Sequence, residues 1–391
     1  MKLMEKSSSR DWRLIEFGDM AMHISDRINP VPGDEKRYVG LEHLQSGSLI
    51  VKRWGSCVPL KGQKLSIKKG DILFAKRNAY LKRVALAPFD GIFSAHGMVI
   101  RPKSTEVLER FLPFYMQSDH FMSRAKSISE GSLSPTIKWK ALANQKFLIP
   151  PIEIQKKVIA IMTKISSLVE SLEALYESNI KLLKSLVHET FIPKSGWVDY
   201  LIEDLCEVKG GRQLSPEKSK GICSYKYLRP ANIKKGKFRF NDVKEMDFLS
   251  EELDIYRLIR GDILLVEGGE AEDVGDPAIW NDDLVDITCF KNTLIRLRAK
   301  KNVIDSKALY WLAVYLHGAG NFKAIAAGTK IKHIGTSNTA NMRVKLPKDL
   351  GVLECSIKAI ECADQEAVIL RSKIEKANLL YEAMLANMLV N

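Results

Sequence analysis

From Ile154 to about Glu189 the chain sets apolar residues in alternating steps of three and four: Val158, Ile161, Ile165, Leu168, Leu172, Leu175, Leu182 and Leu186, with Asn179 at the one polar step. A heptad stripe this long demands a partner helix, because the helix that carries it cannot bury it alone. At about 1.5 Å per residue the segment reaches on the order of 54 Å, the length of a spacer rather than of an ordinary globular helix. A second three-four series closes the chain: Ile360, Ala363, Ala367, Leu370, Ile374, Ala377, Tyr381, Met384 and Met388. Its alanines let a backbone approach the bulkier Leu and Ile of the first stripe. The two helices are therefore expected to pair antiparallel, large side chains against small ones.

A chain of 391 residues is too long for one core, so two domains on helical supports are expected. The expected segments are 1–150 and 192–350 as domains, with 151–191 and 351–391 as the helices. The net charge of +13 is unevenly placed: +11 over residues 1–152, 0 over 153–191, +4 over 192–351 and −2 over 352–391. Basic domains on neutral supports suit a polyanion held at two points, and nucleic acid is the expected one. The six cysteines include no Cys-x-x-Cys pair and no histidine at ligand spacing, so no zinc site or disulfide framework is indicated. No apolar run approaches about 20 residues, and the first residues lack a signal pattern, so a cytoplasmic location is expected.

One unit is written twice. Leu14-Ile15-Glu16 returns as Leu201-Ile202-Glu203, the stretch 38–44 as 227–233, Gly70-Asp71-Ile72-Leu73 as Gly261-Asp262-Ile263-Leu264, and Gly131 through Pro150 as Gly328 through Pro347. The order is kept while the offset drifts slowly upward, as small insertions would make it, and each copy is followed by a heptad helix. Within each copy, short strand-like runs alternate with a few helical stretches, the texture of an α+β domain. Pro150-Pro151 and Glu153 mark the entry to the first long helix; the second entry, around Pro347-Lys348-Asp349, is looser.

The ordered set of Pro-Pro-x-x-x-Gln, Tyr38-Val39-Gly40-Leu41-Glu42-His43, Gly-Asp-Ile-Leu in both halves, 130–139 and 328–334 resembles the specificity subunit of type I restriction-modification systems, over essentially the whole chain. The resemblance implies two target-recognition domains with pseudo-twofold symmetry, joined by two long antiparallel coiled-coil helices. Each domain would read one half of a bipartite double-stranded DNA target. The helices would fix the gap and dock two methyltransferase (modification) subunits, with restriction or motor subunits in the full complex. The chain itself would be non-catalytic and hold no cofactor. A coiled-coil scaffold with basic nucleic-acid-binding domains is the alternative, and a self-contained methyltransferase or nuclease a more distant one. The sequence has no Gly-x-x-x-x-Gly-Lys-Ser/Thr phosphate loop and no glycine-rich cofactor strand, and its seven histidines lie far apart.

For DNA contact, Lys76, Arg77, Asn78, Tyr80, Lys82 and Arg83 rank first, since they interleave fork-shaped donors with an amide and an aromatic ring. The counterpart in the second copy, Glu267 to Asp276, is acidic and glycine-rich. Lys138 with Lys140, and Lys330 with Lys332, are read as phosphate anchors at similar places in the two copies. Arg27, Lys36, Arg37, Arg212 and Arg229 are weaker candidates.

Overall fold

A computed structural model describes residues 11–103, 105–214, 221, 223–270, 272–328 and 332–388. The described residues form two compact units, one within 11–176 and 369–388, the other within 177–368. Each unit takes in part of both long helices.

In unit 1 the first strand, Arg13–Glu16, pairs antiparallel with Lys146–Ile149 and ties the start of the domain to its end. Between them lie two four-stranded sheets. One runs Ala21–Ile24, Met98–Pro102, Ile72–Phe74, Val84–Leu86; the other runs Arg27–Ile28, Lys64–Ile67, Gly91–Phe93, Tyr38–Val39. The Ile72–Phe74 strand is buried on both faces and shows why its sequence is unbroken apolar. Ile72 and Phe74 enter a core of Phe17, Phe121 and Phe147, while Leu73 turns to a second core with Val39, Phe93 and Val99.

Unit 2 repeats the plan. Val198–Leu201 pairs with Arg343–Leu346, and one sheet runs Cys206–Gly210, Leu294–Ala299, Ile263–Val266, Pro277–Ile279. In unit 1 the Tyr38–Val39 strand lies parallel to Gly91–Phe93; in unit 2 Ser224–Leu228 lies parallel to Thr288–Phe290. Ile263 and Leu265 face one core, Leu264 and Val266 another.

The repeated motifs turn out to be joints. Gly70 and Gly261 hold φ of +90° and +91°, a conformation that favours glycine, and each delivers an aspartate to the same task. Asp71 accepts from Arg101 Nε (2.5 Å) and Nη2 (2.9 Å) and from the Lys68 amide (2.8 Å). Asp262 accepts from Arg298 Nε (2.7 Å) and Nη2 (2.8 Å) and from the Ile259 amide (2.9 Å). His43 Nδ1 accepts the Gly40 amide across a short turn, and Asn232 Oδ1 accepts the Arg229 amide at the same place in the second copy.

The central helix spans Ile152–Phe191 (40 residues) and the C-terminal helix Glu354–Met388 (35 residues). Gln155 locks the first entry: its side chain is fully buried, accepting from the Leu108 amide (2.8 Å) and donating to the carbonyls of Glu106 (2.8 Å) and Pro150 (2.9 Å). In unit 1, Val158, Met162 and Ile165 share a core with Tyr381 and Leu385; in unit 2, Val187 and Phe191 share one with Ile357 and Ile360. Asn179 Nδ2 donates to the Ala363 carbonyl (2.8 Å), so the one polar step fixes the helix–helix register.

The second stripe is buried at Ile360, Ala363, Ala367, Leu370, Ala377 and Tyr381 and partly covered at Ile374 and Met384; the Met388 side chain lies outside the described residues. The first stripe needs a correction. Val158 and Ile165 are buried and Leu172, Asn179 and Leu186 partly so, but Ile161, Leu168, Leu175 and Leu182 are 38%, 49%, 52% and 53% exposed. Inward in their place are their neighbours Met162, Val169, Tyr176 and Leu183. The helix is rotated by one residue at every second step, which leaves an apolar ridge with a seven-residue repeat on its outside.

Candidate nucleic-acid interface

In each unit the central strand runs out of the sheet onto a ledge made with a segment some sixty residues later. In unit 1 the Ala75 amide bonds the Arg83 carbonyl (3.1 Å) and closes a loop over residues 76–82. Arg77 pairs with Thr136 across an isolated bridge. Around it the Ile137 amide donates to the Lys76 carbonyl (3.0 Å) and the Asn78 amide to the Pro135 carbonyl (2.9 Å). Asn78 and Lys82 lie in the left-handed region (φ +56° and +48°) and bracket a short 3-10 turn, Ala79–Leu81. Ala79 is buried and anchors the turn, which leaves Tyr80 56% exposed.

Unit 2 builds the same ledge from other residues. The Glu267 carbonyl accepts the Ile334 amide (3.0 Å), Gly268 pairs with His333, and Gly269 with Lys332. A Cβ on Gly268 would lie 2.3 Å from His333 Nδ1, so only glycine admits the histidine ring. Burial pushes the Glu267 carboxyl up, and the nearby His333 opposes that shift. At the positions where unit 1 has Lys76, Arg77 and Asn78, unit 2 has Glu267, Gly268 and Gly269.

The sequence-ranked residues divide accordingly. Lys76, Arg77, Tyr80 and Lys140 have no ion-pair partner among the described residues. Lys82 is paired with Asp119, Lys138 with Glu130 (2.6 Å), and Arg83 Nη1 donates to the Leu41 carbonyl (3.3 Å), so these three serve internal contacts. The Asn78 side-chain oxygen is buried with no partner among the described residues. Lys332 is exposed on the second ledge; Lys330 lies outside the described residues. The lysine pairs are also out of step. The bridges match Thr136 with His333, which sets Lys332 opposite Pro135 and Lys138 opposite Gly335. Arg212 is buried against Glu252 and stacked on the Phe248 ring (4.8 Å), and Arg229 is paired with Asp242, which accounts for both as joints. Sequence reasoning passed over Lys64, His23 and His96, whose charges meet Lys76 and Arg77 only after the strands are paired.

Two copies of one α+β domain, each with a two-segment ledge and each bound to long helices, define a tandem-domain protein. The family model for the type I restriction modification DNA specificity domain matches the chain twice, over residues 55–178 and 194–350, and the chain belongs to that family. Among its relatives, the type I restriction enzyme MjaVIII specificity subunit of Methanocaldococcus jannaschii is 22% identical over 373 residues, covering 86% of this chain and 82% of that protein. The HindI specificity subunit of Haemophilus influenzae is 25% identical over 193 residues, 46% of this chain and 41% of its own. The fold is that of the S subunit of the type I restriction-modification system from M. genitalium (TM-score 0.61, 13% identity, 100% of this chain and 98% of the other). A chain solved in work on complex assembly and conformational transition of the type I R-M system matches similarly (TM-score 0.59, 18% identity, 96% of each chain). No described helix is long and apolar enough to cross a membrane.

Proposed function

We propose that this chain is the non-catalytic, cytoplasmic specificity subunit of a type I restriction-modification complex, reading a bipartite DNA target with one ledge per half-site. The observation that carries this reading is the doubled domain: one family match and one ledge per unit, with different side chains on each. Different residues on the same frame are what two unlike half-sites require. In this reading the two domains are related by an approximate twofold axis, and the two helices act as the antiparallel coiled-coil spacer.

The docking of two modification subunits, and of restriction or motor subunits beside them, draws support from the outer ridge of the central helix. Ile161, Leu168, Leu175 and Leu182 repeat every seven residues, the spacing that a further helix would bury. Val368, Ile369, Leu379 and Leu380 add exposed apolar surface on the C-terminal helix.

Methylome sequencing of cells with and without the chain tests the reading: a two-part motif should appear only with it, and a motif that persists in its absence would refute the assignment. Removing one heptad from each long helix, in register, shortens the spacer by roughly 10 Å. At 3.4 Å per base pair the unread gap should shrink by about three base pairs while both half-sites stay the same. An unchanged gap would rule the helices out as its measure.

A further inference from the structure

Strand pairing gathers distant basic residues of unit 1 around its ledge. His23 lies on the Ala21–Ile24 strand; on the neighbouring sheet Arg27 pairs with Leu65 and Lys64 with Ile28, so the two cations leave opposite faces of that ladder, Arg27 toward Lys76 and His23, Lys64 toward His96. Lys76 and Arg77 form the ledge, and His96 lies on the turn after the Gly91–Phe93 strand. His23 also stacks on Trp139 (5.5 Å), the first residue of the helix that follows the ledge's second segment.

These groups act on one another. Lys76 is held below the ordinary lysine value by burial and by the charges of Arg27 and Arg77. His96 is lowered by burial and then by Arg77, Lys76 and Lys64; His23 by burial and then by Lys76 and Arg27. Among the described residues no carboxylate forms an ion pair with Arg27, Lys64, Lys76 or Arg77, whereas Lys82, Arg101 and Lys138 of the same unit each have one. Lys64 donates to backbone carbonyls of its own turn, those of Lys61 and Gly62 (3.0 Å to Gly62). Mutual repulsion without an internal counter-ion raises the energy of the free chain, and a closely spaced row of anions relieves it.

The second copy keeps one arginine of the set, Arg212 in the place of Arg27, and there it is buried and bonded to Glu252. Val208 faces Leu297 as His23 faces Ile100, Glu267 and Gly268 stand where unit 1 has Lys76 and Arg77, and Thr293 stands where unit 1 has His96.

We propose that Arg27, Lys64, Lys76 and Arg77, with His23 and His96 among them, form a phosphate clamp for the DNA backbone that unit 1 has and unit 2 lacks. The proposal rests on the DNA-reading function above and deepens it: the two half-sites are held unequally, and the salt-sensitive part of the affinity resides in the first. Binding also takes up protons. A histidine held below its ordinary value by cationic neighbours regains that value beside a phosphate, so affinity rises as pH falls through about 6.5.

The test is a salt titration of the full chain on random-sequence duplex DNA, with folding checked by circular dichroism. Replacing Arg27, Lys64, Lys76 and Arg77 together by glutamine should lower the slope of log affinity against log salt by about three to four units, at about 0.9 per phosphate contact. Lys82→Gln with Lys138→Gln, at residues already paired internally, should leave the slope as it is. If the fourfold variant does not fold, Arg77→Gln alone should lower the slope by about one unit. A parent chain that binds duplex with a slope no steeper than its folded variant overturns the clamp alone; a parent that binds no duplex at any salt overturns the DNA reading with it. Inorganic phosphate replacing chloride at equal ionic strength should displace no extra DNA, and strong displacement would overturn the duplex as occupant. Affinity should climb on acidification in the parent and stay level in His23→Gln/His96→Gln; a level parental profile would remove the histidines from the clamp.

Discussion

Asp262→Ala should melt unit 2 far below the parent. Asp262 is fully buried and accepts both forks of Arg298 as well as the Ile259 amide. Deleting it strands a guanidinium that is three-quarters covered and leaves a turn amide without its acceptor. Loss of one partner of a buried pair costs about 3–5 kcal/mol, which in a unit of this size is a fall in melting temperature of roughly 10 °C. Asp262→Asn keeps an acceptor for the turn and should cost less. The same reasoning applies to Asp71 with Arg101 in unit 1. Thermal unfolding followed by circular dichroism reads the effect, and a melting curve superimposable on the parent's would deny the pair any part in holding the sheet. DNA preference is expected to persist in whatever fraction stays folded, because the aspartate faces the interior.

Leu168→Glu combined with Leu175→Glu should do the opposite, leaving the chain folded but unable to assemble. Both side chains are about half exposed, so their replacement should move stability by no more than about 0.5 kcal/mol per site. On a partner helix the same two positions would bury about 1.5–3 kcal/mol each, and a carboxylate there would also have to shed its water. Roughly 3–6 kcal/mol is a loss of more than about a hundredfold in the dissociation constant for a modification subunit. Co-purification and sedimentation measure it. Undiminished assembly would move the docking surface elsewhere, and a collapsed melting temperature would show that the ridge is core after all.

The sequence made the two helices and the doubled domain legible, but not the phase of the first seam. Its outer and inner positions are neighbours of the same kind, Ile161 beside Met162, Leu168 beside Val169, Leu175 beside Tyr176 and Leu182 beside Leu183, and periodicity alone cannot choose between them. The C-terminal helix offers a single stripe with alanines on it, and from Ile360 to Tyr381 that stripe faces inward. Gly-Asp-Ile-Leu was visible as a repeat, while its purpose lay in arginines about 30 residues away, at Arg101 and Arg298. Of the ledge, the run from Lys76 to Arg83 could be read as one cluster. Folding divides it, spending Lys82 and Arg83 on Asp119 and Leu41 and bringing Lys76 and Arg77 to charges far off in sequence.

Tyr381 donates to the buried Gln117 side chain (2.6 Å), and Leu385 lies in the same core as Phe17. Unit 1 therefore lacks part of its wall until Leu385 has been synthesised, some two hundred residues after the rest of its core, whereas the main core of unit 2 reaches no further along the chain than Ile360. At about 5–20 residues per second the early domain waits on the order of ten seconds or more with an apolar seam uncovered. A chain truncated before Tyr381 would thus fail first in unit 1, and a chaperone that guards nascent chains would find its client there.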